Sequence, residues 1–204
     1  MALGAIDHLV VSSATLAEGV AYVEETLGMP MAGGGEHPRM GTHNRLLSLG
    51  PDTYLEVISV NPAASRPDHA RWFDLDYFRG DARLTNWAVR VPNIEEALHR
   101  APEGTGDILQ LERGDYRWQM AVPEDGRLPF GGCAPGVLSW QSEDPAPGLP
   151  DQGLRLVALE ITHPEAEALS VALMPLVIDT RLTLHSGEPG IAAWIDTPNG
   201  MVKL

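Results

Sequence analysis

The chain has 204 residues, 44% of them hydrophobic, enough for a packed core in one domain or two small ones. Its formal net charge of −14 repels nucleic-acid backbones and anionic membrane surfaces, so neither is expected as a partner. The single cysteine, Cys133, excludes an internal disulfide and a thiolate zinc cage and fits a reducing compartment.

The first residues lack a basic stretch followed by an apolar run, and no segment has the roughly 18 apolar residues of a membrane span. A soluble, cytoplasmic protein is therefore expected. Ala5 to Val11 reads as an apolar strand interrupted by Asp7 and His8. Thr15-Leu16-Ala17-Glu18 is a capping box, and Leu16, Val20, Val23 and Leu27 form one helical stripe that Gly28 ends in a left-handed conformation. A short strand or loop follows around Met29 to Met31, then a strand from His43 to Leu49, a Gly50-Pro51-Asp52 turn and a largely buried strand from Tyr54 to Val60.

The carboxylate of Glu56 in that last strand is costly to bury unless something pairs with it. His8 meets it if the two strands share a sheet, so both are expected to face one pocket. Between them lies His37-Pro38-Arg39-Met40-Gly41-Thr42-His43-Asn44, a glycine-flanked turn. His37, His43 and Asn44 are its candidate ligand-binding residues; simple turn chemistry is the competing reading.

The β-α-β-β-β order then repeats. Thr85 to Val91 is a strand, Asn93 caps a short helix, Ile108 to Glu112 and Tyr116 to Val122 make a hairpin, and Val137 to Gln141 closes the unit. Aligning the helix starts sets Asn86 opposite His8, with Ser139 at the place of Glu56. Asn86 and its neighbour Trp87 are added to the substrate-binding candidates, although strand tryptophans are most simply core residues. A third, compressed copy runs from Leu154, with Pro164 at a first helical position, to a Pro198-Asn199-Gly200 turn and a final strand. The units span residues 1–60, 81–143 and 153–204, in one compact domain or two closely packed ones. The aromatic-rich linker 61–80 is expected to fold back over the core or a pocket mouth.

These residues resemble a family. The repeated units, the strand Ile6-Asp7-His8-Leu9-Val10-Val11 and the strand Tyr54-Leu55-Glu56-Val57-Ile58 are similar to the vicinal oxygen chelate superfamily. Within it, Gly34-Gly35-Glu36-His37-Pro38, Gly41-Thr42-His43-Asn44 and Tyr54-Leu55-Glu56 resemble the glyoxalase-like domain group. The resemblance implies an α+β fold in which repeated βαβββ units form curved mixed sheets around a central pocket, with helices on the outer face. It also implies one divalent metal ion on His and Glu or Gln ligands, with His8 and Glu56 at the first unit's metal positions. Asn86, Ser139 and Lys203 depart from that pattern and leave the ligand set incomplete. The activity implied is that of a lyase, isomerase, epimerase or dioxygenase acting on a small oxygenated metabolite, with Glu56 and His8 catalytic. A metal-free protein that sequesters a small molecule is the alternative. By analogy with the superfamily, a homodimer is the default assembly.

Overall fold

The computed structural model describes residues 3–204. The first unit is β1 (Ala5–Ser12), α1 (Leu16–Leu27), β2 (Ala32–His37), β3 (Thr42–Ser48) and β4 (Tyr54–Val60). The second is β5 (Arg83–Arg90), α2 (Ile94–Leu98), β6 (Asp107–Arg113), β7 (Tyr116–Val122) and β8 (Gly136–Trp140). The third is β9 (Arg155–His163), α3 (Ala166–Leu173), β10 (Leu182–Ser186), β11 (Gly190–Thr197) and β12 (Gly200–Lys203). No described helix is long and apolar enough to cross a membrane.

Units one and two merge into one eight-stranded sheet, ordered β2-β3-β4-β1-β5-β8-β7-β6, through the antiparallel pair of β1 and β5. The sheet curls until its edges meet: β2 touches β6, and Arg39 on one side donates to the Gln110 carbonyl on the other at 3.0 Å. The third unit keeps the chain order but not the sheet order. Its strands run β10-β9-β11-β12, with β9 beside the strand that follows its helix.

Alternation along the strands gives the large sheet two apolar faces. Leu9, Val11, Leu55, Val57, Trp87, Val89 and Val137 point outward and pack on the helices and on the third unit through Leu159, Ile161, Leu169 and Ile195. Val10, Ile58, Ala88, Trp118, Met120 and Leu138 point inward, where Trp72, Phe73 and Leu75 of the long linker pack among them. The linker does fold back, because three buried apolar side chains on one short segment gain too much from burial to remain in water.

Local signals explain the scaffold. Thr15 accepts from the Glu18 amide while the Glu18 carboxylate accepts from the Thr15 amide, and Gly28 takes φ 71° at the helix end. Helix α3 begins two residues past Pro164, at Ala166. The short strand or loop expected around Met29 to Met31 is an edge strand at Ala32–His37, with a register shift between Ala32 and Gly35. The glycines permit it: Gly34 takes φ 97°, and a Cβ there would meet the Asn44 carbonyl oxygen at 2.2 Å.

Candidate functional site

In a regular strand Asp7 and His8 would point to opposite faces. Here Ile6 pairs with Val89 and His8 with Ala88, so Asp7 is an extra residue in a β-bulge, and the two side chains meet. His8 Nδ1 is 2.7 Å from Asp7 Oδ1, and the other Asp7 oxygen accepts from Trp140 Nε1 at 2.9 Å. The parallel pairing of β1 with β4 places Tyr54 beside His8 and Glu56 beside Val10. The His8 ring stacks on Tyr54 at 4.8 Å, and its Nε2 lies 3.4 Å from Glu56 Oε2. The imidazole is therefore held between two buried carboxylates.

Glu56 is held in turn by Asn44 of the neighbouring strand, whose Nδ2 donates to Oε1. The amide's orientation is fixed because its oxygen accepts from the Gly35 amide at 2.9 Å. The same Nδ2 is 3.3 Å from His37 Nε2, and His37 Nδ1 is 3.0 Å from Thr42 Oγ1. A donor facing Nε2 requires that nitrogen to be unprotonated, so Nδ1 carries the hydrogen. Burial, then the nearby charge of Arg113, holds His37 well below its ordinary pKa, which fits this neutral tautomer. Burial and the charges of Asp7 and Glu56 hold the Tyr54 phenol well above its ordinary pKa, so it stays protonated.

His8, His37, Tyr54 and Glu56 open onto one hollow, walled by Trp72, Phe73, Trp118, Met120, Leu138 and Trp140, with Arg113 at its edge. Its free volume is about 20 Å³, room for roughly one water. The walls are tightly stacked: Trp72 and Trp118 lie 6.4 Å apart and nearly parallel, and Trp118 and Trp140 lie 5.4 Å apart.

Of the candidates from sequence, the fold gathers His8, Glu56, His37 and Asn44 and leaves three elsewhere. His43 neighbours Asn44 on β3 and so faces the outer side, opposite Ser59. Trp87 lies in the outer core, fully buried, its Nε1 donating to the Cys133 carbonyl at 2.9 Å. Asn86 is on the inner face but farther along, where it donates to the Gly132 carbonyl at 3.4 Å beside a separate hollow. Asp7, Arg113 and Trp72 complete the site. An acid directly before His8 was the sequence signal for Asp7; nothing local marks Arg113, which reaches the hollow only because β6 curls round to β2.

The residues present do not fit a metal centre. Among the described residues no group of three or more His, Cys, Asp or Glu side chains is arranged to hold an ion, and an open site normally needs three protein ligands. The second unit explains the shortfall. Two residues beyond Asn86, Ala88 corresponds to Val10, and its parallel partner is Gly136, so the counterpart of Glu56 has no side chain. Ser139, next to the inward Leu138, is not that counterpart. Lys203 is remote from the hollow, over the Trp194 ring and 3.7 Å from Glu160.

Two βαβββ units sharing one curled sheet around a hollow define a vicinal oxygen chelate fold. The chain belongs to the glyoxalase-like domain family, whose sequence model matches residues 6–177. No curated protein matches it. Among solved structures, a hypothetical protein from Staphylococcus aureus is similar over 99% of this chain and 84% of its own, with 12% identity and a TM-score of 0.60. A methylmalonyl-CoA epimerase from Mycobacterium tuberculosis is similar over 67% of this chain and 86% of its own, at 17% identity and a TM-score of 0.43. One from Streptomyces coelicolor, in complex with 2-nitronate-propionyl-CoA, covers 69% and 100%, at 15% identity and a TM-score of 0.46. At these identities the likeness is one of fold.

Proposed function

We propose that this protein is an enzyme that moves a proton on a small oxygenated metabolite bound in the inner hollow, with Glu56 as general base. The observation that carries the reading is the buried run Asp7–His8–Glu56 ending at an apolar cavity. Glu56 takes a proton from a carbon next to a carbonyl, and the C–H electron pair remains on the substrate as an enolate. His8 Nε2, beside the carboxyl, steadies that proton, and Asp7 fixes the ring through Nδ1. Return of the proton to the other face or to a neighbouring atom gives epimerisation or isomerisation. The apolar walls lower the dielectric around the carboxylate, which strengthens its interaction with the charge that develops on the substrate.

The test is a screen of carbon acids in heavy water, followed by NMR. Wild-type protein is expected to accelerate deuterium incorporation at one carbon next to a carbonyl, and Glu56→Gln to lose at least about a hundredfold of that rate. Acceleration that survives Glu56→Gln would remove Glu56 from its role. A second reading, sequestration without chemistry, draws support from the four aromatic walls; it calls for tight binding with no exchange in either form.

A further inference from the structure

Resting on the reading of the inner hollow as the ligand site, we infer that its ligand is a small carboxylic acid, whose carboxylate is held by Arg113 and whose apolar body lies against Trp72, Trp118 and Trp140. Arg113, at the end of β6, is only 8% exposed, yet its guanidinium has no hydrogen bond or ion pair among the described residues. The guanidinium lies over the Tyr116 ring, 5.3 Å from its centre. Its nitrogens are not among the sealed, unpartnered polar atoms of the described residues, so the guanidinium keeps access to the outer cleft, and an anion arriving there takes up donors that the protein's own side chains leave free. Asp7 is engaged by His8 and Trp140, and Glu56 by Asn44 and His8; Glu36, Asp115 and Glu143, which line the outer cleft with Arg113, make no ion pair with it among the described residues.

A second donor points the same way. Trp72 Nε1 is buried in the same wall with no acceptor. Two unanswered donors lining one hollow are the complement of an anion. Arg113 also borders an outer cleft of about 780 Å³ lined by Gly34, Gly35, Gly114 and Tyr116, so it stands where that cleft meets the inner hollow. Gly35 makes room for its stem, since a Cβ there would lie 3.2 Å from Arg113 Cγ and Cδ. The planar guanidinium matches a carboxylate with two parallel hydrogen bonds, and the charges of Asp7 and Glu56 disfavour a phosphate dianion in the same space. The hollow as it stands holds about one water, so the acid's body requires the wall segment carrying Phe73 and Asp74 to give way; both hold sparsely populated backbone conformations, φ 56° and 54°.

Calorimetric titration of the full chain tests this, using pyruvate and phenylacetate, their neutral amides, and inorganic phosphate. At least one acid is expected to bind about tenfold or more tightly than its amide. Arg113→Gln should erase that ratio with an unchanged circular dichroism spectrum. Arg113→Lys, which keeps the charge but not the planar fork, should retain part of it and serves if Arg113→Gln does not fold. Equal binding of acid and amide, binding of neither acid, displacement of the acids by phosphate, or a ratio that survives Arg113→Gln would each overturn the inference. Acid binding that depends on Arg113, without deuterium incorporation, would overturn the proton-transfer reading and leave this one standing.

Discussion

Asn44 Nδ2 donates to Glu56 Oε1 across neighbouring strands and, through its second hydrogen, faces His37 Nε2. One amide thereby sets both the position of a buried carboxylate and the tautomer of a buried imidazole. Asn44→Ala removes one hydrogen-bond partner from each of Glu56, His37 and the Gly35 amide, and is expected to lower unfolding free energy by about 2–3 kcal/mol. Asn44→Asp, which places a second carboxylate against Glu56, should destabilise more. Urea denaturation of both variants measures this; a loss below that of an ordinary surface substitution would contradict the network.

Two perturbed side chains of the hollow, His37 and Tyr54, give stability opposite slopes at the two ends of the pH range. His37 has a folded pKa well below 6.5, so as pH falls from 6.5 toward that value the unfolded chain takes up a proton that the folded chain refuses, and stability drops. Tyr54 has a folded pKa well above 10.0, so above that pH the unfolded chain releases a proton that the folded chain keeps, and stability drops again. His37→Gln should flatten the acid limb and Tyr54→Phe the alkaline limb. Denaturation midpoints measured across pH check each separately.

The Arg113 guanidinium reaches the outer cleft and has no ion pair among the described residues. Arg113→Met is expected to leave the unfolding free energy within about 1 kcal/mol of wild type while removing the preference for acids. A destabilised variant would show that Arg113 is already balanced by the protein's own charges.

Trp87 and His43 provide the converse case. Trp87→Ala removes a fully buried ring and should cost about 3–5 kcal/mol. His43→Ala, on the outer face, should leave ligand affinity unchanged. A weakened titration for His43→Ala would show that the hollow extends through the sheet.

Much of the scaffold was legible because its signals are local. The Thr15–Glu18 capping box, the Gly28 terminus and the Tyr54–Val60 strand are each written within one short window, and His8 and Glu56 followed from two polar interruptions of apolar strands. The rest depends on geometry that no window contains. Adjacent residues cannot both face a pocket from a regular strand, so pairing His43 with Asn44 and Trp87 with Asn86 as ligands conflicted with strand alternation, and in each pair the structure turns one outward. Asp7 joins His8 by breaking that alternation with a bulge. Arg113 falls just past the Ile108–Glu112 strand expected from sequence, and only the closing of β6 onto β2 brings it to the hollow.

The most direct measurement is nitrogen-15 NMR of the histidine rings during titration with phenylacetate or pyruvate, whichever binds. The His8 and His37 resonances are expected to shift together as the hollow fills, with His43 stationary and no response in Arg113→Gln. Shifts at His43 with His8 and His37 unmoved would place the ligand on the other side of the sheet and contradict the account.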